Sequence, residues 1–431
     1  MAEKAISQHA PIELRQLRSV VVGCAIGTFI EWFDYACYGY LATIFSRVFF
    51  PSSSEHSGLL ASYAVFGLAF LLRPAGGVLW GYLGDRIGRR FALTFSIALM
   101  SIATTLIAFL PGYDSIGILA PVALFILRLV QGFSCSGEYS GAAIVLMENA
   151  PSGRRGLLTA FVPASEALGL LSGALLVALL TSQLTSSQMF VWGWRVPFLF
   201  ALPLGLVSLS LRKKLHEDSS NNIVKKHIDV PLIELFKNYR PQLLFGFGSS
   251  ILNAVGYYFV LSFMPVFLTS SGFVGIDLAS KLQAILLIFY IPTICFVGVL
   301  ADIFGPILLL GISALLFVTF TIPLFHVIVV GKISSILCAE LAFGVMLALN
   351  DGALPLFISE IFPKKVRYTG FSLVFNTANA MFGGVSPFVM TLIATQTGSS
   401  TAPGFWLAAS GVIALCTVAS AYKYIKINDN K

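Results

Sequence analysis

Glu31, Asp34 and Tyr38 follow one another at spacings of three and four inside an apolar run, so an α-helix sets them on one stripe with Tyr35 beside it. Ionisable groups within an apolar helix are costly unless they meet a partner or a water-filled cavity. A carboxylate in a partly dry cavity can exchange a proton near neutral pH, and Asp34 and Glu31 are placed for that chemistry. The plainer reading of either acid alone is that it balances an arginine.

Arg128, Gln131, Cys135 and Glu138 recur at three, four and three, again one face of a helix. Arg128 can bind a carboxylate of a ligand, or it can hold two helices together as a permanent salt bridge with an acid of the first run. Arg73 precedes Pro74, which removes a backbone hydrogen bond and can kink its helix, so a binding and a structural role are both open. Glu166 lies in the small, apolar stretch PASEALGLLSGA and is expected to face a cavity. Farther along, Asn253, Tyr257, Tyr258, Asn350, Asp351, Asn376 and Asn379 can complete a polar site by hydrogen bonding or act as glue between helices.

The elements that position these groups follow from composition. The chain of 431 residues is 57% hydrophobic and only 11% charged, with mean hydropathy +0.87, whereas soluble domains run near ~25% charged. Lipid is therefore its main solvent, and each span needs roughly 20 apolar residues in a helix that satisfies its own backbone. Apolar segments fall near 18–45, 59–83, 91–111, 115–147, 156–182, 190–211, 242–270, 278–302, 305–326, 333–358, 366–396 and 402–424. Lys and Arg should gather on the cytoplasmic side. With both termini inside, the outer loops hold Arg47, Lys281 and Lys332, while Arg73, Arg128 and Arg195 lie within or at the ends of apolar segments; every other one of the 27 Lys and Arg falls inside. An odd helix count would break this pattern. The expected fold is an all-α polytopic membrane protein of twelve transmembrane helices in two pseudo-symmetric six-helix bundles, over 1–211 and 242–431, joined by a polar cytoplasmic linker at 212–241.

Internal repetition supports the division. GYLGDRIG at 81–88 and GVLADIFG at 298–305 align at an offset of 217, and ENAPSGRR at 148–155 and EIFPKKVR at 360–367 at an offset of 212, each pair after the same ordinal helix of its half. Two related six-helix halves are the architecture of transporters that rock one bundle against the other around a midplane site.

Other classes are excluded by what is missing from the pattern. The net charge of +7 comes from short basic clusters between apolar runs, which act as orientation signals and give no reason to expect nucleic acid. The cysteines, Cys24, Cys37, Cys135, Cys295, Cys338 and Cys416, lie in apolar stretches without any paired spacing and read as small core residues, with no metal site and no cofactor. His9, His56, His216, His227 and His326 sit in tails, loops or a helix end, so no enzyme site is assembled. Trp192, Trp194 and Arg195 read as interfacial anchors.

GYLGDRIGRR, between the second and third helices, resembles the signature loop of the major facilitator superfamily, and IGTFIEWFDYACYGYLA at 26–42, RPAGG at 73–77, RLVQGFSCSGEYSGA at 128–142 and FPKKVRYTG at 362–370 resemble its metabolite:proton symporter branch. The resemblance implies a monomeric inner-membrane importer that moves a small organic acid, or a zwitterion such as proline or betaine, together with protons by alternating access. An efflux antiporter of the same fold, for drugs or siderophores, is the nearest alternative. It also implies a conformational latch at the cytoplasmic end of helix 2, made by Gly81, Asp85, Arg86, Gly88, Arg89 and Arg90, with Asp85 near a helix N-terminus or a basic partner; positive-inside orientation and contact with anionic membrane lipids are the simpler roles for the arginines. Asp302 is its counterpart in a second loop that lacks the basic cluster and is expected to hold less firmly. The branch commonly has a small residue followed by glycine where this chain has Cys135 and Ser136.

Overall fold

A long apolar run in lipid can satisfy its peptide groups only by closing them into a helix. The computed structural model describes residues 14–50, 55–212 and 231–429, and every regular element among them is helical. Eleven helical segments are long and apolar enough to cross a membrane: α1 (Leu17–Tyr40), α3 (Arg89–Phe109), α4 (Leu119–Glu148), α5 (Arg155–Gln183), α6 (Gly193–Arg212), α7 (Arg240–Ser270), α8 (Ile276–Phe304), α9 (Pro306–Val330), α10 (Ile333–Ile361), α11 (Arg367–Thr397) and α12 (Pro403–Ile427). The twelfth, α2, comes in two pieces, Glu55–Leu71 and Arg73–Arg86. Pro74 has no N–H to give to the carbonyl four residues back, and the helix breaks there, directly beside Arg73.

The first six helices form one bundle and the last six another. Within the first, α1 lies along α5; within the second, α9 and α7 pack on α12. Between the bundles, α5 meets α8 and α2 meets α11. Lipid offers no hydrophobic drive to join helices, so close approach of small residues has to supply the contact. A Cβ placed on Gly298 would stand 2.6 Å from Ala160 Cβ and 2.8 Å from the Gly156 carbonyl, and one on Gly81 would stand 2.5 Å from Thr369 Cα. These positions hold the bundles together at one end of the molecule. At the same end, the loops after α2 and α8 turn through Gly88 and Gly305, with φ of 144° and 81°, a region that favours glycine.

Irregularities interrupt other helices as well. A turn at Ser136–Gly137 interrupts α4, where Trp80 packs against the bare Gly137 backbone. Single π turns at Phe259–Phe263 and Asn379–Gly383 interrupt α7 and α11. Near the other end of the first bundle, Tyr38, Phe45, Phe49, Trp194 and Phe198 pack ring on ring. Trp194 is therefore a core residue, correcting its reading as an interfacial anchor; Trp192 is exposed, and the Arg195 guanidinium covers the Trp194 ring at 4.2 Å. The uniform reading of the cysteines is also corrected: Cys24, Cys37 and Cys135 are buried, but Cys338 and Cys416 lie on outward helix faces.

Residues 213–230 of the expected linker lie outside the described residues, as do Lys431, the first thirteen residues and the histidines His9, His216 and His227. The linker ends in the amphipathic helix Pro231–Asn238, which packs against α2, α7 and α11.

Candidate functional site

The stripe on α1 meets two arginines. Arg128 of α4 donates from Nη1 to Asp34 Oδ2 at 2.5 Å, Gln131 Nε2 donates to Asp34 Oδ1 at 3.3 Å and to Thr104 at 2.5 Å, and the Arg128 guanidinium lies over the Tyr38 ring at 4.0 Å. One turn away, Arg73 Nη2 donates to Glu31 Oε1 at 2.5 Å and to the Tyr35 hydroxyl at 2.8 Å, with its guanidinium 4.5 Å from the Phe70 ring centre. All four charged groups are buried. The break in α2 aims Arg73 into the bundle. The pairs share one interior wall, in which Glu31, Asp34, Tyr35, Met100, Thr104, Gln131 and Cys135 enclose a cleft too narrow for a water molecule. Such pairs hold only while their geometry repays the desolvation of both charges, so an added proton or a competing anion shifts the balance strongly.

A second polar group crosses between the bundles. Trp32 Nε1 of α1 donates to Glu166 Oε1 of α5 at 2.5 Å, and the Trp32 ring lies 4.8 Å from that of Tyr257 on α7. Asp351 on α10 accepts from Asn253 Nδ2 and from the Tyr290 hydroxyl. The Oδ1 of neighbouring Asn350 is buried and accepts no hydrogen bond among the described residues.

At one end of the molecule the bundles are pinned by two matching caps. Asp85 at the end of α2 accepts the backbone N–H of Tyr368 at 3.1 Å and of Thr369 at 2.8 Å, plus the Thr369 hydroxyl at 2.8 Å. Asp302 at the end of α8 accepts the N–H of Gly156 at 2.7 Å and of Leu157 at 2.9 Å. Each acid satisfies orphan amides at the N-terminus of a helix in the other bundle. Glu148 adds a bridge, pairing with Arg89 of its own bundle and with Arg367 at 2.6 Å across the boundary. Arg89 also donates to the Lys364 carbonyl at 3.2 Å, while Arg86 turns back to the Tyr82 hydroxyl.

A sequence model of the Major Facilitator Superfamily matches residues 24–387. The chain belongs to the major facilitator superfamily. It is a membrane transporter of that family, and not an enzyme. Among its relatives are the proline/betaine transporter of Escherichia coli (strain K12), 32% identical over 93% of this chain and 83% of the relative, and the glycine betaine/proline/ectoine/pipecolic acid transporter OusA of Dickeya dadantii (strain 3937), 31% identical over 96% and 85%. A putative proline/betaine transporter of Staphylococcus aureus (strain COL) is 32% identical over 94% and 88%. In fold it is similar to the proton:xylose symporter XylE bound to 6-bromo-6-deoxy-D-glucose, with TM-score 0.77, 18% identity and coverage of 95% and 96%. Against the inward open conformation of XylE from E. coli the TM-score is 0.64, with the same identity and coverage.

Within this superfamily fold the groups expected to converge do so only in part. Glu31, Asp34, Tyr35, Tyr38, Arg73, Arg128 and Gln131 come together. Glu138 does not join them, which corrects its assignment to the Arg128 face: the interruption at Ser136–Gly137 turns it toward α3 and α6, where it pairs with Arg212 and accepts from Ser96. Arg212, expected among the loop charges, is fully buried and also donates to the carbonyls of Gly23 at 3.0 Å and Leu93 at 2.6 Å. Asn376 donates to the Ser136 carbonyl at 2.7 Å, a tie between bundles, and Asn379 bonds within its own helix. Sequence reasoning missed Trp32, Tyr290 and Glu340. The first two are aromatic side chains in a chain rich in them; Glu340 is a buried carboxyl on α10 whose Oε2 has no hydrogen-bond partner, and only its charge within an apolar run marks it.

Proposed function

We propose that this transporter imports a small organic acid or zwitterionic osmolyte together with protons, by alternating access across a bacterial inner membrane. The observation that carries the reading is the dry Asp34–Arg128 pair at 2.5 Å beside the Glu31–Arg73 pair. A proton on Asp34 or Glu31 removes the negative charge that holds its arginine, which then becomes available to a carboxylate of the cargo. Proton and cargo thus favour the same loaded state. Relatives named for proline, betaine, ectoine and pipecolic acid support a zwitterionic cargo.

In this reading Asp34 and Glu31 carry the protons, and Arg128, Arg73, Tyr35, Tyr38 and Gln131 hold the cargo with Glu166, Asn253, Tyr257, Asn350, Asp351 and Asn376. Gly81, Asp85, Arg86, Gly88, Arg89, Arg90 and Asp302 form a latch at the cytoplasmic ends of the helices, both termini lie inside, 212–241 links the halves, and the monomer is the working unit. The basic clusters at that end favour anionic lipid headgroups.

Uptake by proteoliposomes from a panel of carboxylates and osmolytes, with and without an inward proton gradient, tests it. Gradient-driven uptake is expected for at least one compound and is expected to vanish in the paired Glu31→Gln, Asp34→Asn variant. Persistence of gradient-driven uptake in that variant overturns the coupling assignment.

A further inference from the structure

Three buried carboxyls, Glu166, Asp351 and Glu340, lie outside the arginine pairs, and two of them are hydrogen-bonded to neutral donors. Glu31, Asp34 and Glu138 each pair with an arginine. Glu166 and Asp351 form no ion pair among the described residues: the first accepts from the Trp32 indole, the second from Asn253 and Tyr290, all neutral donors. They come from different bundles, α5 and α10, and are linked through α7: Trp32, bonded to Glu166, stands against Tyr257, one turn from the Asn253 that bonds Asp351.

The surroundings add acceptors and aromatic faces; Arg73 lies within electrostatic range of Glu166, but its hydrogen bonds go to Glu31 and Tyr35. The hydroxyl of Tyr257, a residue 6% exposed, and that of Tyr258 have no hydrogen-bond partner among the described residues. Trp32 and Tyr257 stand ring to ring at 4.8 Å, and Tyr139 stacks on Phe375 at 4.1 Å. Both ring contacts cross between the bundles, so separating the bundles uncovers the two acids together. Buried carboxyls held only by neutral donors, an unsatisfied hydroxyl and electron-rich ring faces are what an organic ammonium group requires.

The geometry points to a subsite for an organic ammonium group, formed by Glu166 of one bundle and Asp351 of the other and walled by Trp32, Tyr139 and Tyr257. The inference rests on the transport reading above and names the end of the cargo that Arg128 and Arg73 cannot recognise. A carboxylate held by the arginines and an ammonium held by these acids orient a zwitterion across the boundary between the bundles. A cargo with both charges is then required to bring the two halves onto one ligand.

Equilibrium binding to the purified transporter in detergent, at one pH and with no gradient, tests the subsite separately from coupling. The probe is choline, a quaternary ammonium without a carboxylate, titrated by calorimetry, with acetate as the opposite probe. Saturable choline binding is expected, weakened about tenfold or more by the paired Glu166→Gln, Asp351→Asn variant, whose amides keep an acceptor for Trp32 and Tyr290. Tyr257→Leu leaves both acids in place and is expected to weaken choline by roughly 3- to 30-fold. Thermal melting checks that each variant is folded. Absence of choline binding to the unaltered protein, unchanged affinity in the paired variant, or displacement of choline by acetate overturns the subsite. Gradient-driven uptake and its loss in the Glu31 and Asp34 variant bear on the transport reading alone, so either idea can fail while the other stands.

Discussion

Asp302 accepts the backbone N–H of Gly156 at 2.7 Å across the boundary between the bundles, and the matching bond runs the other way from Tyr368 to Asp85 at 3.1 Å. The offsets that align the two repeats, 217 and 212, carry Asp85 onto Asp302 and Gly156 onto Tyr368, so one contact has been built twice. The second loop lacks the basic cluster, yet Asp302 makes the same two amide bonds, because the cap needs a carboxylate and a helix N-terminus and nothing else. Loss of a capping acid costs about 1–2 kcal/mol, roughly 5- to 30-fold in an opening equilibrium. Asp302→Ala is expected to speed hydrogen exchange at Gly156 and Leu157 by that factor, and Asp85→Ala to do so at Tyr368 and Thr369. Exchange unchanged at both partner segments would remove the caps from any account of how this end closes.

The glycines under these caps make a separate prediction. A methyl at Gly81 or Gly298 meets backbone or Cβ atoms of the opposite bundle at 2.5–2.6 Å, whereas one at Gly39 or Gly67 has nothing within 4 Å. Overpacking costs about 1–3 kcal/mol. Gly81→Ala and Gly298→Ala are therefore expected to disfavour this closed arrangement and slow uptake several-fold, with Gly39→Ala and Gly67→Ala close to the unaltered rate. Uptake assays on the four variants decide it, and equal rates in all of them would count against the close approach.

Much of this was legible in sequence because lipid makes each span announce itself as an apolar run, and because acids at three- and four-residue spacing can only share a helix face. Pairings between helices were not legible. Arg212 reads as one more loop charge, and nothing local reveals that it reaches back to Glu138 of α4. The face shared by Arg128, Gln131 and Cys135 extends to Glu138 only if the helix is unbroken, and a single glycine against Trp80 ended it. Trp32 and Tyr290 carry no charge to betray them, so their bonds to Glu166 and Asp351 emerge only once the helices are packed. Asp302 was found because a repeat pointed to it.

The helix Pro231–Asn238 is tied down by Lys365, whose Nζ donates to Glu234 at 2.8 Å. That bond, helped by Asn238, holds the Glu234 carboxyl below its ordinary value, and in turn raises Lys365. A depressed carboxyl gives its stabilisation above its unfolded value, losing it as pH falls through the lowered one; a raised lysine loses its share only as pH climbs through the raised one. Docking of this helix is therefore expected to stay constant from about pH 5 to 9, to loosen below about pH 4, and to weaken in about 1 M salt, where the screening length is near 3 Å. Hydrogen exchange across 231–238, corrected for intrinsic rates, measures it. Lys365→Gln should weaken both dependences, leaving the smaller share that Asn238 and Lys237 contribute.

The two buried arginines of α4 and α6 separate function from support. Removing one partner of a buried pair strands the other and costs about 3–5 kcal/mol, while replacing both by apolar or neutral groups is often near neutral. Asp34→Asn leaves the Arg128 charge facing a neutral amide and the Tyr38 and Phe198 rings, so its melting temperature should fall, and adding Arg128→Met should restore most of it without restoring uptake. Arg212 differs because it also satisfies the carbonyls of Gly23 and Leu93. Glu138→Gln with Arg212→Met leaves those acceptors unmet, each at about 1–3 kcal/mol, so recovery there should be partial. Thermal melting of the four single and two double variants gives both coupling energies. Full recovery in the Glu138, Arg212 double variant would mean that Arg212 serves the acid alone, and that α1, α3 and α6 are joined by packing instead of by its guanidinium.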